Sequence, residues 1–582
     1  MKKRLIVIDF EVLSNANFWM CCMKDVASGL EHTIINDRNE FLRVFNKNKN
    51  SIWLGYNIRG YDQWIMKAIL SNINPFMVSN KIIKENISGW KIDRQLNEQE
   101  IYFFELGDGF KGLKELELYM GESIVESSVS FELNTYPTKE QIEELTNYCL
   151  HDVRMTLKVF NELRHEYEAQ EGLIEYFDLE PSLFNKSKAQ LSSFILGARR
   201  NNFDRNDEFD FEIINTLELN KYNFVKKWYE NYHNRDYKNG LKTNIYDVET
   251  DFGWGGLHCA RKKYVGEDFI INSDVSSFYP SIIINYNLLS RNVSKPEKYK
   301  QIRDRRIELK NNNDPKEYPL KIVLNSTFGA SKDKNNDLYD PQMANAICVN
   351  GQLLLLDLIE KVELEFGNNA KLIQGNTDGV MFKFNNKEDI DKYIEICNKW
   401  CERTKMSLDH DYIKKVIQKD VNNYIFIKED GKVKSKGSYV KNLNMLDNDL
   451  PIVNKALKEY LINNTAIEDT ILNSNDLIEF QKCVKINGAY KYALYGQEKI
   501  KLKIIRVFAS KLGSDPSIMK VKGNSNNLEK IPNTPDRVFI NNGKILGEKV
   551  PSKLDKSWYI NLAKKRLEDF SPEPEITLFD LL

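Results

Sequence analysis

Apolar and polar positions alternate over residues 4–12, which are rich in β-branched side chains, and this predicts a central strand. Asp9 and Glu11 lie two apart on it and project from one face. After Asn57, the positions Tyr61, Ile65, Ala68 and Ile69 recur at helical spacing, so Asp62 is expected to open an amphipathic helix. Another helix has a marked start, since Pro137 precedes Thr138 and Thr138 forms a capping box with Gln141. On that helix Tyr148 and Asp152, four apart, share a face. Residues 269–274 read as a strand ending on Asp274, followed by the apolar run 282–284. A helix over about 299–310, a turn at 311–315 and a helix starting just after Pro319 suggest an antiparallel pair. Lys321, Asn325 and Phe328 then fall at i, i+4 and i+7, one continuous stripe. Residues 371–382 predict a hairpin with a tight polar turn.

At 582 residues the length suggests about four domains. With 42% hydrophobic and 29% charged residues, the composition is that of a soluble globular enzyme. No stretch approaches the ~18–20 consecutive apolar residues of a membrane span, so no membrane partner is expected. The lysines ahead of the first apolar run superficially suggest a signal peptide. Asp9 and Glu11 follow too soon, however, and no small-residue cleavage site is present, so a buried first strand is expected. Net charge is −1, with 83 basic against 84 acidic residues, and gives no support for a nucleic-acid partner. The lysines of 414–441 and 499–522 provide local clusters suited to a phosphate backbone, although solvated faces of a Lys-rich protein look the same. Eight cysteines without CxxC spacing and six scattered histidines argue against zinc and for reduced thiols in a cytoplasm. Metal chemistry must then rest on carboxylates, which suits Mg²⁺ or Mn²⁺.

Each acidic pattern is ordinary by itself. A DxE on a strand is common, an aspartate complements a helix N-terminus, and a tyrosine above a solvated aspartate needs no special role. In the order DxE, N-x3-YD, Y-x3-D, they resemble the three exonuclease motifs of DnaQ-like proofreading domains with a tyrosine in the third motif. The resemblance implies that Asp9, Glu11, Asp62 and Asp152 hold two metal ions, one activating water and the other stabilising the leaving 3′ oxygen. Tyr148 would orient the water, and Asn57 and Tyr61 would contact a frayed primer end. Gly112-Leu113-Lys114 stands where protein-primed relatives carry a Ser-Leu motif that grips single strands, with glycine for serine.

Asp274-Val275-Ser276-Ser277-Phe278-Tyr279-Pro280-Ser281 resembles motif A of family B DNA polymerases, DxxSLYPS, with Phe278 where leucine is usual. The resemblance implies metal ligation by Asp274 and the Val275 carbonyl, with a nucleotide triphosphate over residues 275–278. Tyr279 would exclude a 2′-hydroxyl by steric rejection. Residues 321–329 resemble motif B, KxxxNSxYG, with Phe328 for tyrosine. Arg306 and Lys310, four apart on the preceding helix, would come level with Lys321 and cradle the triphosphate beside Asn325. Arg306 could equally be a surface cation, with Arg303 in its place. Asn376-Thr377-Asp378-Gly379 resembles motif C, YxDTDS, with Asn376 for the first aspartate and Gly379 for the serine. Asp378 is thereby expected to pair with Asp274. Residues 420–439 resemble the KxY region that holds primer-template. Asn422 replaces the lysine there, so of that motif only Tyr424 carries over, with Lys436 and Gly437 as further DNA-binding candidates.

The chain is therefore expected to be an α+β multidomain protein, with an RNase H-like exonuclease domain (1–185) and a right-hand polymerase. The latter would comprise palm (186–297 and 336–442), short two-helix fingers (298–335), thumb (443–570) and tail (571–582). The implied activity is DNA synthesis from dNTPs on a primed DNA template with 3′→5′ proofreading, using two Mg²⁺ or Mn²⁺ per active site. Ile576 to Phe579 resembles a sliding-clamp docking peptide, although a tail packed on its own thumb is the commoner arrangement. Helicase or primase are the other candidate partners. Motif I at residue 9 leaves no room for the N-terminal domain of larger relatives. The compact size resembles the protein-primed phage polymerases, but neither of their two insertions fits the gaps here. A nucleic-acid primer, no terminal protein, a monomer, weak unaided processivity and the cytoplasm of a bacterial host are the expectations. A nuclease whose palm has lost synthesis, favoured by Asn376, and a non-catalytic DNA scaffold are the alternatives.

Overall fold

The computed structural model describes residues 3–107, 109–200, 206–525 and 527–571. Its mixed α+β architecture divides into two compact units. One gathers Met1–Lys186, Leu443–Ile452 and Ile471–Tyr559; the other holds Ser187–Asn442, Val453–Thr470 and the chain from Ile560 onward. The stretch expected as a thumb is thus divided between them, and the clamp-like peptide at 576–579 lies outside the described residues.

The first unit is built on a five-stranded sheet in the order Glu31–Ile35, Phe18–Asp25, Leu5–Leu13, Ile52–Gly55, Phe103–Glu105. Leu5–Leu13 is central, antiparallel to Phe18–Asp25 and parallel to Ile52–Gly55. Ile6, Ile8 and Phe10 enter one core with Trp19, Phe41 and Ile65, which pins the register and holds Asp9 and Glu11 on the other face. The helix Asp62–Leu70 begins on its aspartate. Thr138 and Gln141 cap the helix Lys139–Glu162 reciprocally. The same unit carries a three-stranded sheet (Lys482–Lys485, Ile504–Ala509, Val538–Ile540) and a four-stranded one. Arg506, with 0% exposure, ties this region to residues near the N-terminal sheet. Its guanidinium donates to the carbonyls of Leu118 (2.8 Å), Glu122 (2.9 Å) and Gly543 (2.6 Å) and to Gln481 Oε1 (3.1 Å). A buried cation is tolerable only when its donors are met in this way.

The second unit holds a nine-stranded antiparallel sheet. At its centre Tyr264–Val275 is flanked by Gly379–Phe384 and Leu408–Asp420. The helices Glu297–Asn311 and Glu317–Lys332 pack against each other. Arg306 pairs with Glu317, and Tyr299 donates to the Leu324 carbonyl, so the two run antiparallel. The second begins at Glu317, ahead of the expected start, and Pro319 falls inside its first turn, where no N–H is needed. The helix Pro341–Phe366 is long and apolar enough to cross a membrane, yet its apolar window is 94% buried in the protein. It also buries Asp357 and Glu360, whose carboxylates accept backbone N–H groups of Glu218, Asn220 and Tyr222. It is a core helix.

Candidate active sites

In the second unit, the strand ending at Val275 and the hairpin strand starting at Gly379 are directly paired, with Gly379 opposite Asp274. The Val275 N–H donates to the Asp378 carbonyl at 2.7 Å, which locks the two acidic turns together. Asn376 shapes the turn, its side-chain oxygen accepting from the Asp378 N–H at 3.1 Å. Asp274 Oδ1 is buried and has no hydrogen-bond partner. Burial lifts the Asp274 carboxyl above its ordinary range, and the Asp378 charge adds to the effect. An unmet carboxylate oxygen beside a second carboxylate fits a divalent cation, and oxygen ligands suit Mg²⁺ or Mn²⁺.

A cavity of 390 Å³ opens at the Asp378 turn, lined by residues 275–280, Arg306, Lys310, Lys321, Leu324, Asn325, Thr377, Asp378 and Asp409, and begins one residue beyond Asp274. Every residue read as nucleotide-binding is therefore gathered around one space, together with two of the metal-ligand candidates, Asp378 and Val275. Arg306 is already engaged, donating to Glu317 (3.0 Å) and to Ser277 Oγ (3.0 Å), while Arg303 pairs with Asp304. Ser277 holds left-handed backbone at φ +49°, and the helix Phe278–Asn285 starts from it. Tyr279 packs its ring on Phe328 at 4.3 Å, joining the two motifs at the cavity wall. Tyr424 is 4% exposed and stacked on Phe426, so it is a core ring. Lys436 pairs with it across the sheet and is exposed. At Gly437, with φ +102°, a Cβ would meet Asn423 Oδ1 at 2.3 Å, and only glycine fits. Asp409 was missed by motif reading: it lies directly across from Asp274 and accepts from Ser276 Oγ at 2.6 Å.

In the first unit, Asp9, Glu11, Asp62 and Asp152 converge from one strand and two helices. The Asp62 carboxylate accepts the Phe10 N–H at 3.2 Å. Burial pushes the Asp62 carboxyl up to about 7 and that of Asp152 up to about 6, with Lys114 opposing the latter. Asp9 and Glu11 stand well above the carboxylate range, through burial first and then repulsion from neighbouring carboxylates, Glu11 foremost for Asp9 and Asp152 foremost for Glu11. Four converging carboxylates, three on buried residues and Asp9 on a half-buried one, with too little countercharge fit divalent cations. Lys114 was also missed as a member of this cluster. Its ammonium pairs with Asp152 and with Glu117 (3.1 Å) and sits 4.7 Å over the Tyr148 ring. The Cys149 thiol lies 3.4 Å from Asp9 Oδ2. A cavity of 700 Å³ reaches Lys114, Tyr148 and Asp152, with Lys485, Lys491 and Lys503 on its wall. Asn57 holds left-handed backbone, φ +63°, its N–H given to Glu105. Tyr61 is half-buried and hydrogen-bonded to Ser79.

No family model matches the chain. It is 25% identical over 247 residues to the DNA polymerase alpha catalytic subunit of Oryza sativa subsp. japonica, covering 36% of this chain and 16% of that protein. It is 24% identical over 265 residues to DNA polymerase 1 of Saccharolobus solfataricus, covering 38% of this chain and 28% of that one. The chain thus spans less than a third of the curated relatives it matches. Among solved structures it is similar to the family B DNA polymerase of the hyperthermophilic archaeon Pyrobaculum calidifontis. That match has a TM-score of 0.43 and 14% identity over 99% of this chain and 78% of that one. By these curated relatives the chain is similar to DNA polymerases.

Proposed function

We propose that this chain is a template-directed DNA polymerase of the compact phage type, extending a nucleic-acid primer and trimming 3′ ends with its own exonuclease. The observation that carries the reading is the pairing of the Asp274 and Asp378 turns beside a cavity walled by Lys310 and Lys321. On this reading the second unit supplies palm and fingers, residues 1–185 supply the exonuclease, and Lys-rich strands of 482–522 track phosphates as part of a thumb.

Two divalent ions, held by Asp274, Asp378 and the Val275 carbonyl, would neutralise charge on the transferring phosphoryl group. The protein's own part is positioning. Lys310, Lys321 and Arg306 balance the triphosphate, Arg306 by exchanging Glu317 for phosphate. Asn325 and residues 275–278 floor the nucleotide, and the Tyr279 ring, braced by Phe328, fills the space a 2′-hydroxyl would need. In the trimming site, Asp9, Glu11, Asp62 and Asp152 would hold the ions and the Tyr148 hydroxyl would orient water. The basic cavity beside them suits a single-stranded 3′ end. A sliding clamp, helicase or primase would be partners, with no terminal protein, in a bacterial host's cytoplasm.

The rival reading, a nuclease that has lost synthesis, draws on Asn376. That residue supports its turn through an acceptor oxygen as an aspartate would. Primer extension and degradation with Mg²⁺ should be compared for wild type, Asp378→Ala and Asp9→Ala. Loss of synthesis alone in the first variant and of degradation alone in the second is expected. Wild-type protein that degrades but never extends would establish the rival.

A further inference from the structure

One pair of buried groups is left unexplained by either site. Glu117 is 0% exposed, and its Oε2 has no hydrogen-bond partner. The Nε2 atom of His151 is buried and equally without one. The two atoms face each other at 3.5 Å. That is beyond the ~2.7–3.2 Å of an N–H···O bond. It is, however, close to the ligand-to-ligand edge of about 3.4 Å that tetrahedral bonds of about 2.1 Å produce. Asp152 completes the set, its ligand atom and those of Glu117 and His151 all lying within 4.8 Å of one another.

We propose that Glu117, His151 and Asp152 form a cation site for a divalent transition metal that accepts imidazole, with Mn²⁺ serving as its paramagnetic probe. Mixed nitrogen and oxygen donors exclude Mg²⁺ as the preferred occupant and favour ions further along the first row. The fold builds the site from two helices. Leu113–Tyr119 carries Glu117, and Lys139–Glu162 carries His151 and Asp152 as sequence neighbours. Lys114 now supplies the positive charge, paired with Glu117 Oε1 and Asp152. An entering ion displaces that ammonium, and the cavity that Lys114 and Asp152 line is both its refuge and the ion's route. The site shares Asp152 with the proposed trimming centre, yet it stands without that reading, because all three of its ligands remain when Asp9 is removed.

The test is pulsed electron paramagnetic resonance of the full chain titrated with Mn²⁺ alone, reading the ¹⁴N modulation of an imidazole-bound ion. Wild type should show that modulation, and His151→Gln should lose it and bind its tightest Mn²⁺ at least tenfold more weakly. Glu117→Gln should weaken binding to a similar degree. Asp9→Ala should keep the signal, so failure of the trimming reading would leave this result intact. Thermal unfolding in EDTA checks that the variants fold. A wild type without ¹⁴N modulation, or a His151→Gln variant that retains it, overturns the site.

Discussion

Gly379 stands where the resembled motif carries serine, and the geometry around it gives that departure a consequence. A Cβ at 379 would lie 2.1 Å from Asp274 Oδ1 and 2.8 Å from the Ser273 carbonyl oxygen. The carboxylate can rotate away, at about 0.5–1.5 kcal/mol if it leaves its rotamer. The carbonyl belongs to the paired strand and cannot, so Gly379→Ala must also shift the sheet, a strain of about 1–3 kcal/mol. If about 1.4–2.8 kcal/mol of that falls on the placement of Asp274 in the transition state, kcat falls about 10–100-fold. Single-turnover extension of a primed template, alongside degradation of a single strand by the same preparation, measures this directly. Extension should drop by that factor with the dNTP KM changed less than about threefold, because the Lys310 and Lys321 side of the cavity is untouched. Degradation should not change. A Gly379→Ala enzyme extending within twofold of wild type would show that Asp274 does not work from the position seen here.

Three further outcomes are expected. Tyr279→Ala removes the ring braced by Phe328, so the preference for dNTPs over rNTPs in competitive extension should fall at least tenfold; an unchanged preference would discard Tyr279 as the sugar filter. Arg506→Met strips buried donors from the Leu118, Glu122 and Gly543 carbonyls. At about 1–2 kcal/mol for each orphaned acceptor, less the relief of an uncharged core, unfolding in urea should show a loss of about 3 kcal/mol. A loss under 1 kcal/mol would contradict the bonding described. For Glu31, Arg154 first and then Lys24 hold the carboxyl down at about 2, against 4.5 ordinarily. A depressed carboxylate stabilises the fold above its unfolded pKa, and this contribution is lost as pH falls through the folded one. The stability gap between wild type and Glu31→Gln should therefore be level above pH 5, about 1 kcal/mol given the half-exposed Arg154, and should close between pH 4.5 and 2. A gap that persists at pH 2 would assign the effect to packing.

Much of the local structure was legible from residue order. The capping box of Thr138 and Gln141, the helix opening at Asp62, the strand carrying Asp274 one residue before its end at Val275 and the hairpin around Asp378 all formed close to where short-range rules place them. Lys114, Glu117 and Asp409 were not recognised as neighbours of the acidic clusters. Nothing near them in sequence marks the association. Lys114 meets Asp152 only because two helices pack, and Asp409 meets Asp274 only through the register of two strands. The division of 443–570 between two units was equally hidden, since a buried arginine at 506 and its acceptors at 118 and 122 share no local pattern.

The order of residues by itself determined the helices, the strands and the acidic motifs they carry, because capping, side-chain periodicity and turn chemistry act over a few positions. Tertiary structure alone decided which carboxylates share a space and which cations stand among them. It also decided that Glu117 and His151 face each other unmet. Those facts depend on burial and register between distant segments, where one residue of slip would turn a strand carboxylate such as Asp9 or Asp274 to the opposite face and carry a helical one such as Asp152 about 100° around its axis.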